Sequence, residues 1–215
     1  MAKITAIELQ KRDPNRVNIH LDGDYAFGLT RITAAWLKVG QELSEDKIAS
    51  LQAEDSREQA YQQALLFLSY RTRSESEIRQ NLSKHEIPLD VIERTLERLR
   101  ENQLADDRQF ARAWVENRNT FRPRSRRALQ MELRQKGLSD EVAQLALEGL
   151  DEEALAYEAG LKKARRLRSE EWNGFRKKLS EHLARRGFPY SVIASVVSRI
   201  WKEAHTEQLE NEENK

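Results

Sequence analysis

Four arginines, Arg122, Arg124, Arg126 and Arg127, fall within six positions of a 215-residue chain whose formal net charge is only +1. A guanidinium fork donates to two oxygens at once, so such a group suits phosphates or carboxylates. The window 118–136 adds Arg118, Arg134 and Lys136, and holds seven Arg/Lys against one Glu. A second window, 162–186, holds ten against three: Lys162, Lys163, Arg165, Arg166 and Arg168, then Arg176, Lys177 and Lys178, then Arg185 and Arg186. Arg71 and Arg73 precede Arg122 and Arg124 by 51 positions. Highly charged helices commonly trade i,i+4 pairs with Glu, and that bland reading fits 90–101, where Asp90, Glu93, Arg94, Glu97, Arg98 and Glu101 alternate in sign. It does not fit 122–127, where no acid is close in sequence. Arg127 and Arg134, seven apart, share a helix face opposite Leu129 and Leu133. These residues are expected to form a contact edge for nucleic acid or for an acidic protein surface, and charge alone does not choose between the two.

Signals for catalysis are absent. No G-x-x-x-x-G-K-[ST] loop, G-x-G-x-x-G turn or G-x-S-x-G elbow occurs. His20, His85, His182 and His205 are scattered, none three or four positions from another, so a helical metal site lacks its ligands. There is no cysteine, which excludes disulfides and thiol nucleophiles and favours a reducing compartment. Glu75 and Glu77 are better explained by helix capping than as a carboxylate pair, and Asp22-Gly23-Asp24 reads as a turn. No stretch is apolar enough to span a bilayer, and the start MAKITAIELQKRD is not a secretory signal. The expectation is a cytoplasmic, monomeric, non-enzymatic protein without cofactor or metal.

Hydrophobic residues are 39% and charged residues 34%, so slender helical units fit better than one large core. Residues 4–29 alternate with period two: Ile7 and Leu9, then Val17, Ile19 and Leu21, then Tyr25, Phe27 and Leu29. Asp22-Gly23 is a hairpin signal between such strands. Thr30 or Thr33 opens a short helix closed near Gly40, and Ser44 caps another through about Ala53.

The rest is repetitive. The segment 74–99, SESEIRQNLSKHEIPLDVIERTLERL, matches 125–150 and 173–200 at offsets of 51 and then 50. Ile78, Leu129 and Leu179 align, as do Leu82, Leu133 and Leu183, and Ile87, Leu138 and Phe188. The next helix carries Val91, Ile92, Thr95, Leu96 and Leu99, a stripe repeated at 142–150 and 192–200 with only Thr95 departing. Gly137 and Gly187 fall where a helix ends left-handed; Glu86 stands there in the first copy, strained unless the turn shifts toward His85. Pro88, Ser139 and Pro189 open the following helices. Helical stretches at 57–70, 106–119 and 151–167 complete each triplet.

The expected architecture is mainly α: three tandem three-helix repeats in an elongated, curved array, preceded by a small N-terminal β-hairpin region. Its parts are 1–55, the hairpin region with short helices; 56–105, 106–150 and 151–205, the repeats; and 206–215, an acidic disordered tail. Their net charges are −2, 0, +2, +4 and −3, so basicity grows toward the third repeat.

Over nearly its full length the chain resembles the RecX family of bacterial recombination regulators. The resemblance rests on LDGDYAFGL (21–29), ALLFLSYRTRSESEIRQNL (64–82), LADDRQFARAWVENR (104–118) and ELRQKGLSDEVAQLAL (132–147). Its most specific parts are the run Arg71 to Ile78, and Asp107 with Phe110-Ala111. It implies tandem three-helix repeats and a modulator, without catalysis, that binds the RecA recombinase filament on single-stranded DNA. Such a modulator lies in the filament groove and inhibits strand exchange, ATP hydrolysis and coprotease activity. Individual contact residues are not carried over: the matching motif is largely structural, and the arginines above are chosen on charge and repeat position. A direct DNA binder is the alternative, with weak contact to single- or double-stranded DNA compatible with both; a passive scaffold is a third reading. Phe121, Trp172 and Phe175 are the only aromatics at the basic windows, too few for a regular base-stacking platform.

Overall fold

The computed structural model describes the backbone of residues 1–213 and the side chains of 1–204. It divides into two compact units, Met1–Ala105 and Asp106–Lys215.

The first unit begins with an antiparallel sheet of order β3-β2-β1-β4, made of β1 (Ala2–Leu9), β2 (Arg16–Leu21), β3 (Asp24–Thr30) and β4 (Glu42–Leu43). Asp22 and Gly23 form the two-residue turn between β2 and β3 with φ of 51° and 101°, the mirror-image geometry that follows strand twist. The alternation read from sequence is interrupted where the register shifts: Ile4 opposes Leu21 and Ala6 opposes His20, while Phe27 opposes Ile19 and Tyr25 opposes His20. Ile4, Ile19, Phe27 and Leu29 therefore face inward, whereas Tyr25 lies exposed against the edge of His20. Leu9, which shares a face with Ile7 in the alternation, is also exposed at the end of β1. Thr30 caps α1 (Arg31–Ala34).

Ser44 caps α2, as its position predicts, but α2 runs unbroken over Glu45–Ser69. The two helices expected at 44–53 and 57–70 are one, and the boundary at residue 55 falls inside it. No Gly or Pro occurs between 45 and 69, so nothing breaks the ladder, and an interruption would orphan backbone groups at two new ends. Leu51 of α2 packs on the sheet, and Tyr61 and Ala64 pack in the first repeat with Ile78 and Leu82 of α3 (Glu75–Lys84) and Ile92, Leu96 and Leu99 of α4 (Leu89–Glu101). Buried Asp55 ties helix to sheet, accepting from the Thr30 N–H at 2.5 Å and from Arg16 at 3.2 Å. Thr95, the odd member of its stripe, donates to the Val91 carbonyl at 2.8 Å and is thereby buried without an orphaned hydroxyl.

The second unit holds two triplets: α5 (Asp107–Phe121), α6 (Arg126–Gln135) and α7 (Asp140–Ala146), then α8 (Glu152–Ala164), α9 (Trp172–Ala184) and α10 (Tyr190–Glu213). Leu129, Leu133, Leu179 and Leu183 are fully buried, as the repeat alignment requires. Ser74 and Ser125 cap α3 and α6, both helices of ten residues, and Ser74 forms a full capping box with Glu77. In the third triplet α9 starts earlier, and buried Phe175 stands at the cap's place. Gly137 and Gly187 have φ of 80° and 88°, and Glu86 keeps the same turn at φ 58°, carrying the strain that a side chain meets there. The backbone of α10 continues to Glu213 through the segment expected to be a tail, a run without Gly or Pro. The side chains of 205–215 and the backbone of 214–215 lie outside the described residues.

Candidate functional site

The loop 122–125 is built as a clasp. Pro123 is buried and cannot continue α5. Ser125 is wholly buried; its Oγ accepts from the Ala128 N–H at 3.1 Å and caps α6. Its own N–H donates to the Arg186 carbonyl at 3.1 Å, just past the end of α9. Arg186 Nη1 donates to the Pro123 carbonyl at 2.9 Å, and Lys162 Nζ reaches the Thr120 carbonyl at 3.4 Å. The two basic windows, 118–136 and 162–186, thus meet at one junction.

Like charges crowd there. Arg186 is held below the usual arginine range by its burial and by neighbouring Arg124 and Arg122. His182 is pushed down by burial, Arg186, Lys163 and Arg185, so it stays neutral and its Nε2 accepts from Arg186 Nε at 3.1 Å. One carboxylate, Glu132, serves the far side: it accepts from Arg118 at 2.7 Å and Trp114 Nε1 at 2.8 Å, and pairs with Arg124 at 3.0 Å. Arg118 also lies over the Trp114 ring, 4.6 Å from its centre. Arg122, Lys163 and Arg185 have no ion pair among the described residues.

The expectation that 122–127 is free of acids is therefore corrected. Glu132 is distant by linear count but lies on the face of α6 that turns back toward α5 and the loop. Arg126 is engaged too, through Nη2 to the Leu150 carbonyl at 3.2 Å, while its N–H donates to Glu152 at 3.0 Å. Arg127 is exposed and unpaired among the described residues. Arg134 forms a two-pronged bond to Asp140, at 2.5 and 3.1 Å, so both charges are compensated although exposed. Arg71 does the same with Glu77, at 2.9 and 3.2 Å, and Arg73 lies over the Phe67 ring at 4.0 Å. Lys178 pairs with Glu170. Arg165 and Arg166 follow α8, Arg176 and Lys177 lie on α9, and all four are exposed without an ion pair among the described residues.

His182 is the junction residue that the charge pattern does not single out, and Arg186, although counted in the second window, is not marked there as the residue that closes the clasp. The available signal is positional: Arg186 immediately precedes the left-handed Gly187, as Lys136 precedes Gly137, so its carbonyl is presented at a helix end. Among the described residues no group of three or more His, Asp or Glu could hold a metal ion, and no helix is long and apolar enough to cross a membrane.

Known proteins share this layout segment by segment. Residues 2–44 match the regulatory protein RecX N-terminal domain; 60–99, 106–147 and 151–197 match the first, second and third RecX three-helix domains. A regulatory protein RecX of Bacillus pumilus is 33% identical over 219 residues, covering 99% of this chain and 81% of its own length. That of Bacillus subtilis is 33% identical, covering 93% and 78%. The crystal structure of a regulatory protein RecX is similar with a TM-score of 0.71 and 33% identity over 91% of this chain and 98% of its own. The structure of RecX from Lactobacillus salivarius, at 23% identity and a TM-score of 0.60 over 68% of this chain and 97% of its own, shares the fold. With all four domains in order and a third of the residues identical across nearly the whole length, the chain belongs to the RecX family of regulatory proteins.

Proposed function

We propose that this chain is a non-catalytic, monomeric, cytoplasmic regulator that binds the RecA filament on single-stranded DNA and lowers its recombinase, ATPase and coprotease activities. Membership of a family of regulatory proteins supports the regulatory role, and the resemblance supplies the partner. The observation that carries the binding surface is the junction of Arg122, Lys163 and Arg185 around part-buried Arg186, where positive charge exceeds the carboxylates available among the described residues. Gathering like charges disfavours their charged forms, and a polyanionic partner offsets that cost while releasing counterions. The test is RecA ATPase and strand exchange on single-stranded DNA with stoichiometric chain. Inhibition by the wild type that is lost in Arg122→Glu and Arg185→Glu supports the reading; unaffected RecA refutes it.

The same junction favours a second reading, direct DNA binding. On that reading, affinity for DNA without RecA falls with salt by about 0.7–0.9 in log–log slope per phosphate contacted. A tight, steeply salt-dependent complex with DNA alone, together with no effect on RecA, selects it.

A further inference from the structure

The first and second repeats are built alike, yet differ around one part-buried polar position. α3 and α6 are both ten residues long, both are capped by a wholly buried serine, and both carry fully buried leucines at equivalent places, Leu82 and Leu133. Ala60 and Ala111, on the preceding helices, are likewise fully buried 51 residues apart. At that offset Arg118, Arg124 and Glu132 correspond to Phe67, Arg73 and Asn81.

In the second repeat Glu132 gathers Arg118 and Arg124. In the first, Arg73 reaches over Phe67, the counterpart of Arg118, with 4.0 Å from guanidinium carbon to ring centre. The residue replacing the carboxylate is Asn81, and Arg73 Nε and Asn81 Oδ1 are both buried without a hydrogen-bond partner among the described residues. The nearby Glu77 is engaged by both prongs of Arg71 and by the cap of α3. Burial and the neighbouring Arg71 both weaken the Arg73 charged form, against a smaller opposing pull from Glu77. Arg73 as a whole remains part-exposed, so its guanidinium can be approached from solvent. Two polar groups left unsatisfied at equivalent places, one of them cationic, are the pattern of a site completed from outside.

We propose that Arg73 and Asn81 receive a carboxylate from an acidic segment of a protein partner, in the position that Glu132 occupies in the second repeat. The carboxylate accepts from the guanidinium and, with the amide turned over, from Asn81 Nδ2. A carboxylate rather than a phosphate is chosen because a carboxylate closes the equivalent set within this chain. The occupant is defined by its chemistry, so the inference stands apart from the RecA reading.

The test follows the Arg73 Nε–H resonance by NMR while poly-L-glutamate is added to the full chain. The signal moves saturably in the wild type. In Asn81→Glu, where an internal carboxylate takes the place, the signal is already displaced and its response to poly-L-glutamate weakens by at least about tenfold in affinity. Asn81→Asp serves as the shorter variant should the glutamate fail to fold. Three outcomes overturn the proposal: an unmoved Arg73 signal in the wild type, an equal response in the wild type and the acidic variant, or a response to inorganic phosphate but not to poly-L-glutamate.

Discussion

Replacing Gly187 with alanine asks how much of the second unit depends on the clasp between Ser125 and the end of α9. Gly187 has φ +88°, and an added Cβ would stand 2.7 Å from Ser125 Oγ and 3.0 Å from Ala128 Cβ. Two costs combine. The left-handed backbone costs a residue with a Cβ about 1–2 kcal/mol. The overlap falls on buried Ser125 and its cap, and overpacking of this kind costs about 1–3 kcal/mol, with about 1 kcal/mol more if the cap bond to Ala128 breaks. Gly149 supplies the control: φ is +69° with nothing within 4 Å of an added Cβ. Gly149→Ala is therefore expected to lose only the backbone part, about 1–2 kcal/mol. Gly187→Ala should lose about 2–5 kcal/mol, or about 3–6 kcal/mol if the cap bond also breaks. Urea unfolding followed by circular dichroism measures both. Gly187→Ala should also lose partner binding, because the clasp holds Arg186 against the loop of Arg122 and Arg124. Equal losses in the two alanine variants would refute the reasoning that the junction is closely packed and position-determining.

Three further outcomes are expected. Leu133→Ala, at a fully buried position, should cost about 2–5 kcal/mol in urea unfolding, against at most about 0.5 for exposed Arg127→Ala. Glu132→Gln removes the carboxylate shared by Arg118, Arg124 and Trp114; since both arginines stay partly hydrated, the loss should be about 1–3 kcal/mol in the same measurement. His182 is depressed by burial and by Arg186, Lys163 and Arg185, so the unfolded chain takes up its proton first; stability should fall as pH drops from about 6.5 through the lower folded pKa, and His182→Gln should flatten that part of the pH–melting curve.

Much of the architecture is legible without coordinates because it depends on local chemistry repeated at a fixed interval. Ser74 opens a capping box with Glu77 because a hydroxyl preceding a helix meets the third N–H and a glutamate three residues on reaches back, whatever lies beyond. Asp22-Gly23 turns because the hairpin demands positive φ at both residues. The leucines at 82, 133 and 183 are buried because a stripe recurring along a helix must face neighbours. The strand faces were harder to read, since each register shift inverts the alternation beyond it: Tyr25 follows Phe27 in period yet lies on the other side. The extent of α2 is not legible in the sequence for a different reason. A serine announces its start, but its continuation past residue 55 rests on the absence of any breaker and on the two cores packed along its length.

Composition and spacing established a mainly helical, triply repeated chain with cationic windows and no catalytic signature. Only folding decided which cations are spoken for. Arg134 meets Asp140, Arg124 meets Glu132, and Arg186 folds onto Pro123, 63 positions away. Electrostatic and hydrogen-bond energies depend on distance through space, and a chain returning on itself brings together charges that linear separation keeps apart.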